Sequence, residues 1–268
     1  MVDGGRWTVD CRQWSVDHGW QLANRQSQSA FAILNPTPNS QSSIVVSILD
    51  IIGPVMVGPS SSHTAGACRL GLLARNLMGG TPQKAHVELH GSFARTGEGH
   101  GTDKAIVGGL LGFRPDDDRL RTALEIAAGE GLDYTFSKTK LGEENEVHPN
   151  TVRITVERDG NTAVMTGSSL GAGRILVNEI DGFPVEVHAN HHTIVLVAED
   201  IRGSIARITT LLAEDGVNIA TIRVSRRHRG GDAFMVIELD EPPGDEVRDH
   251  IKALDWVRWA VKLDRLTS

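Results

Sequence analysis

Hydrophobic and polar positions change rhythm twice along the chain. Residues 1–43 hold neither a helical nor a strand period; they carry Trp7, Trp14 and Trp20 and close on a polar run from Asn35 to Ser43. This head reads as a poorly ordered extension, or as a start codon placed too far upstream. The apolar run 44–52, ended by Gly53-Pro54, is too short for periodicity to decide between strand and helix. After a loop at 58–64, Leu70, Leu73, Ala74 and Leu77 recur at helical spacing and predict an amphipathic helix over 65–78, stopped by Gly79-Gly80. A strand at 84–90, a glycine-rich loop at 91–102, a helix from about Asp103 to Gly112 and a third helix at 120–129 are expected next.

The period then shortens to two. Residues 151–158 alternate, Asp159-Gly160 makes a hairpin turn and 162–166 returns, while 174–180 and 183–188 flank Asp181-Gly182, so 151–187 reads as a β-meander. Antiparallel strands beside helices predict an α+β layer rather than a doubly wound parallel sheet. From 193 onward the order is strand 193–198, helix 204–215, strands 217–225 and 231–239, helix 244–254 and strand 256–263. That is a ferredoxin-like βαββαβ module of about 75 residues. The expected domains are therefore 44–190 and 191–268, with the boundary near His191.

Composition narrows the function classes. A formal charge of −7 offers no basic excess for nucleic-acid phosphates. No apolar run approaches the roughly 18 residues of a membrane span, and residues 1–43 lack the pattern of a signal peptide, so a cytoplasmic location is the expectation. Two cysteines, Cys11 and Cys68, cannot build a disulfide framework or a four-thiolate metal site from this chain alone.

Three groups of residues carry candidate chemistry. Ser60-Ser61-Ser62-His63-Thr64 stands at a helix start, where free N–H groups, the helix dipole and hydroxyls favour an anion such as a substrate carboxylate, and His63 titrates near neutrality. An ordinary N-cap with spare serines is the plainer reading. In the stretch His90 to Asp103, glycines 91, 97, 99 and 101 let a backbone approach a ligand, and Asp103 is expected to cap the next helix. Its spacing is neither a dinucleotide fingerprint nor a P-loop. His148-Pro149-Asn150-Thr151 and Ser168 to Gly173 repeat the same polar palette on expected loops and suit a pocket for a small amino or hydroxy acid. Neither the pair His191-His192, whose side chains point apart in an extended chain, nor Lys104 beside Asp103 makes a strong metal or Schiff-base site. In the C-terminal module, Gly203 and Asn218 lie on two connections expected to meet at one end of the sheet and hold a small ligand.

The strings Gly58-Pro59-Ser60-Ser61-Ser62-His63-Thr64, His90-Gly91-Ser92-Phe93-Ala94, Gly97-Glu98-Gly99-His100-Gly101-Thr102-Asp103 and His148-Pro149-Asn150-Thr151 resemble the β chain of the iron–sulfur-dependent L-serine dehydratases. The residues from about 192 are similar to an ACT domain. The resemblance implies a serine dehydratase β-chain domain of allosteric-substrate-binding type followed by the ACT module, and conversion of L-serine to pyruvate and ammonia. It further implies a [4Fe–4S] cluster held by a separate α chain and not by this one, and an ACT-mediated homodimer. Carried over by position, His63 takes a proton-transfer or orienting role. Ser60, Ser61, Ser62, Thr64, His100, His148 and Asn150 bind substrate, and Gly203, Asn218 and Ile219 meet a regulatory amino acid. The first domain is also similar to the sensing domain of some phosphoglycerate dehydrogenases, which keeps a non-catalytic amino-acid sensor open as the alternative. Arg202-Gly203 stands where ACT domains commonly carry Pro-Gly.

Overall fold

Alternating and helical stripes along the chain build two sheets with helices on one face of each. The computed structural model describes residues 54–143, 146–226 and 228–266; the head 1–43 and the apolar run 44–52 lie outside the described residues. In the first half, β1 (Lys84–Leu89), β2 (Asp133–Lys138), β3 (Thr151–Arg158), β4 (Asn161–Gly171), β5 (Arg174–Ile180) and β6 (Phe183–Val187) form one sheet in the order β2-β1-β3-β4-β5-β6. All its pairs are antiparallel except β1 with β2. Helices α1 (Ala67–Leu77), α2 (Gly91–His100), α3 (Thr102–Leu110) and α4 (Ala123–Glu130) complete this half.

The stripe of Leu70, Leu73, Ala74 and Leu77 is fully buried, as its spacing predicts. It packs with Val87, Ile154, Met165 and Val177 of the sheet and with Ile106 and Leu110 of α3. Helices α1 and α3 cross backbone to backbone: a Cβ at Gly71 would lie 2.2 Å from the Ile106 carbonyl oxygen, and one at Gly109 would lie 2.1 Å from that of Cys68. Only glycine permits that approach. Cys68 is consumed by this packing, its thiol donating to the Phe113 carbonyl at 3.2 Å.

Several sequence expectations need correction. The stretch 91–102 is helical, not a glycine-rich loop, because Gly91 turns at φ +55 and α2 then runs to a left-handed break at Gly101. Asp103 does not cap α3; Gly101 holds the cap position and Asp103 lies in the first turn. Helical structure begins at Ser61 rather than 65, through a π-helical turn Ser61–Gly66 that runs straight into α1. A 3-10 turn, Asp118–Thr122, precedes α4 within the expected third helix. Ser168 to Gly171 continue β4 instead of linking two strands. Strand β2 was not expected, its half-exposed edge position having no clean apolar alternation.

The second half follows the expected grammar: β7 (His192–Glu199), α5 (Ser204–Glu214), β8 (Ile219–Arg226), β9 (Asp232–Leu239), α6 (Asp245–Lys252) and β10 (Val257–Leu263). Its sheet order, β10-β7-β9-β8, is the antiparallel ferredoxin-like arrangement. Period-two alternation splits its residues between two cores. Ile194, Leu196, Met235 and Ile237 face the helices α5 and α6, whereas Val195, Phe234, Val236 and Val261 join the core of the first sheet. Phe183 of β6 stacks on Phe234 of β9 with centroids 5.0 Å apart, and Arg223 of β8 pairs with Glu186 of β6. One apolar core thus runs across the boundary near His191. No helix among the described residues is long and apolar enough to cross a membrane.

Candidate active site

The Ser60–Thr64 string supplies its own cap. Ser60 is extended, its Oγ accepts from the His63 backbone N–H at 3.2 Å, and Thr64 N–H reaches the Ser60 carbonyl at 2.8 Å. Helical turns leave their first N–H groups without intrahelical partners, and π-helical turns recur at functional sites. The capping reading is therefore correct, and it fixes the side chain that follows.

His63 points into a ring of hydroxyls. Its Nδ1 lies 3.4 Å from Ser60 Oγ, and its Nε2 lies 3.2 Å from Thr96 Oγ1 and 3.4 Å from Ser92 Oγ. Phe93, wholly buried, meets the imidazole edge-on at 5.2 Å, and the His100 ring stands 5.0 Å away. His100 is itself held by Nδ1 against the Thr96 carbonyl at 2.9 Å. Burial first, and the neighbouring charge of His100 second, hold the His63 pKa below the ordinary histidine value, while a hydrogen bond from the ring to the Ser92 backbone carbonyl works the other way. That shift favours the neutral imidazole, whose lone pair can accept a proton.

Strand β4 forms the floor. A Cβ at Gly66 would come within 2.0 Å of Ser169 Oγ, so the π-helical turn rests directly on that buried serine. Ser62 Oγ lies 3.8 Å from the corresponding point at Gly171. Ser168 Oγ and Thr151 Oγ1 are paired across β3 and β4 at 2.7 Å. Asn150 connects to the same strand, its carbonyl accepting from Ser169 N–H at 2.9 Å and its amide reaching the Ser169 carbonyl at 3.5 Å. The turn before it abuts α2, with Ser92 N–H on the Pro149 carbonyl at 2.6 Å. Thr64 Oγ1, Asn150 Oδ1 and Ser169 Oγ are buried without a hydrogen-bond partner. Buried polar atoms are rarely left so, and three of them around one turn mark a site built to meet something else.

Of the sequence candidates, Ser60 and His100 thus contact His63; Ser61, Ser62 and Thr64 share its turn, while Asn150 borders that turn's floor. His148 turns onto its own loop instead, Nδ1 accepting from the Asn150 N–H at 3.1 Å, and burial lowers its pKa too. Sequence reasoning included Ser92, Thr96 and Ser169 in candidate stretches but gave none of them a role of its own. Ser92 and Thr96 stand four apart on α2, a spacing that puts both on one helical face once the segment is read as a helix.

Gly203 and Asn218 do not meet. Gly203 follows β7 at its Glu199 end, which pairs with Asp232, whereas Ile219 pairs with Leu239 beside the His192 end. Eight strand residues, about 25 Å, separate the two ends. Gly203 is left-handed at the start of α5, and Asn218 is engaged by Asp240 at 2.5 Å through its side-chain amide.

An iron–sulfur cluster requires converging thiolates. Among the described residues no three His, Cys, Asp or Glu side chains converge, and burial pushes the Cys68 thiol up to about 12. The described residues do not form a cluster site. Lys104 is exposed at the first turn of α3.

The profile of the family described as "Serine dehydratase beta chain" matches residues 47–180, and that of the ACT domain matches 192–255. The probable L-serine dehydratase beta chain of Bacillus subtilis is 43% identical over 208 residues, covering 78% of this chain and 93% of that one. The L-serine dehydratase beta chain of Peptoniphilus asaccharolyticus is 38% identical over 210 residues, covering 78% and 94%. L-serine dehydratase 2 of Escherichia coli is 42% identical over 169 residues, but the match covers 53% of this chain and only 37% of that longer protein. The chain belongs to the serine dehydratase beta chain family and carries a C-terminal ACT domain.

Proposed function

We propose that this chain supplies the substrate-gripping half of an L-serine dehydratase whose other half is a partner α chain. The observation that carries the reading is the His63 imidazole held among the hydroxyls of Ser60, Ser92 and Thr96 at the start of a helix. The helix start and the serines receive the substrate carboxylate. His63 moves or positions a proton while the α C–H and β C–O bonds break, and the resulting enamine hydrolyses to pyruvate and ammonia. The [4Fe–4S] cluster implied by the resemblance belongs to the partner in this reading. The beta-chain names of the relatives support a second polypeptide, as does the short share of the longer Escherichia coli protein that the chain matches.

The test is anaerobic co-expression with a cysteine-bearing α chain, followed by assay of pyruvate from L-serine. Activity is expected only from the pair, and His63→Ala in the pair is expected to cost at least about a hundredfold in kcat. Turnover by the lone chain, or a His63→Ala pair as active as wild type, overturns the proposal.

The ACT module is read as regulatory through a homodimer. Strand β8 is a sheet edge with Ile222 and Val224 exposed, 39% and 42% respectively. Antiparallel pairing of two β8 edges would bring Gly203 of one copy to the same end of the joined sheet as Asn218 and Ile219 of the other, which a single chain does not do. Exposed apolar edges of this kind are otherwise an aggregation hazard.

A further inference from the structure

We propose that a second site, at the junction of the two domains, binds a small multivalent oxyanion. A cleft of about 480 Å³ is walled by Arg69 and Arg114 from the first domain and by His192 and Arg265 from the second, with Asp116 the one carboxylate on its lining. Its size suits a small metabolite. The chain as a whole is acidic, at −7, so three arginines around one cleft run against the average charge.

Arg69 is the centre of the argument. It stands in α1, it is only 6% exposed, and its guanidinium donates from Nη1 to the Gly173 carbonyl at 2.6 Å. Its Nε is buried without a partner, and among the described residues no carboxylate pairs with it. A buried cation without a counter-charge is costly, and an anion seated beside it removes that cost. Burial is the main cause that pulls the Arg69 pKa down; Cys68 opposes it, and the charge of Arg114 adds a smaller lowering.

The neighbours leave the charge uncompensated. Arg114 reaches Asp116 only at 3.7 Å through Nε, with both side chains exposed. Arg265 is exposed and has no ion pair among the described residues. His192 turns Nδ1 toward the exposed Asp264 at 3.5 Å. Guanidinium forks match the paired oxygens of carboxylates and phosphates, and the excess of arginines over acid on this wall calls for a ligand with two or more negative charges. The site shares no residue with the His63 cluster, and so it stands whether or not the dehydratase reading does.

Inorganic phosphate and succinate, titrated separately into the full chain at constant ionic strength in sodium chloride, test the site by calorimetry and by thermal unfolding. Saturable binding with a raised midpoint is expected from at least one of them, because a ligand of the native state alone stabilises it. Phosphate alone would identify phosphoryl ligands, succinate alone carboxylates, and both the shared oxyanion chemistry. The double variant Arg114→Gln/Arg265→Gln changes two exposed side chains, and it is expected to weaken binding at least about tenfold with an unchanged circular-dichroism spectrum. If that spectrum changes, the single Arg265→Gln chain is held to the same tenfold standard. No saturable binding above the chloride control, or a smaller loss in the folded variant, overturns the proposal.

Discussion

A methyl group added at Gly66 probes the contact on which the His63 turn rests. An ideal Cβ there stands 2.0 Å from Ser169 Oγ and 2.7 Å from Ser169 Cβ, yet 3.6 Å from Ser169 Cα. Ser169 is fully buried in β4, so its hydroxyl has no solvent to swing into. To restore ordinary contact the turn or the strand must move by more than an ångström, and overpacking of this kind costs about 1–3 kcal/mol. At roughly 2–4 °C per kcal/mol for a chain of this size, Gly66→Ala lowers the unfolding midpoint by about 2–12 °C. Ser169→Gly removes both offending atoms and leaves Cα at normal van der Waals distance. Placing glycine in a strand has its own cost of about 0.5–1 kcal/mol. The double variant must therefore be more stable than the two single effects added together, with a coupling of about 1–3 kcal/mol. Urea unfolding of the four proteins, followed by circular dichroism, measures that coupling directly. Additivity within about 0.5 kcal/mol would refute the placement of Ser168 to Gly171 in a strand beneath the turn.

Three further outcomes are expected. His63 and His148 both titrate below 6.5 in the folded chain, so the unfolded chain binds more protons between 6.5 and the lowered values. Stability should be insensitive to these two groups above that range and fall as the pH drops through it, and His100→Ala should raise the His63 midpoint seen by NMR; a fall in that midpoint contradicts the assignment. Gly99→Ala enters open space within α2 and should stabilise by about 0.5–1 kcal/mol, whereas destabilisation would return 91–102 to a loop. Val224→Glu should convert a dimer into monomers in analytical ultracentrifugation; a wild-type chain that is already monomeric at micromolar concentration defeats the β8 pairing.

The fold was most legible where period and burial agree. Leu70, Leu73, Ala74 and Leu77 announce α1 because a one-sided helix buries one stripe, and the short apolar runs of β7 and β9 announce strands because successive residues face opposite cores, both of them apolar. It was least legible at glycines. In α2, Gly91, Gly97 and Gly99 lower local helix propensity, and only tertiary packing, with Gly91 pressed to within 2.5 Å of the Pro149 carbonyl oxygen at its missing Cβ, makes the helix worth forming. That one misreading hid Ser92 and Thr96, since two hydroxyls four apart converge on one point in a helix and diverge in a loop. It also explains why His63 was identifiable while its hydrogen-bond partners were not: the cap that fixes His63 is local, and the groups it faces are brought by a different element.

The same distinction between local and long-range information governs the ACT domain. Gly203 and Asn218 each sit beside a helix terminus, and each looks like ligand-binding turn chemistry when read alone. Their separation follows from topology: a helix that returns antiparallel to β7 must place its beginning and its end at opposite ends of the sheet. A ligand touching both in one chain would have to span about 25 Å, far more than an amino acid. If both residues serve one amino-acid site, that site must be intermolecular, and a response through it then depends on association of two copies of this chain, which the chemistry proposed at His63 does not require. Serine response measured across a dilution series that crosses the dimer dissociation constant separates the two: the response should fade with dilution while the basal rate per α–β pair holds, and a response that persists in the monomer would place the effector elsewhere.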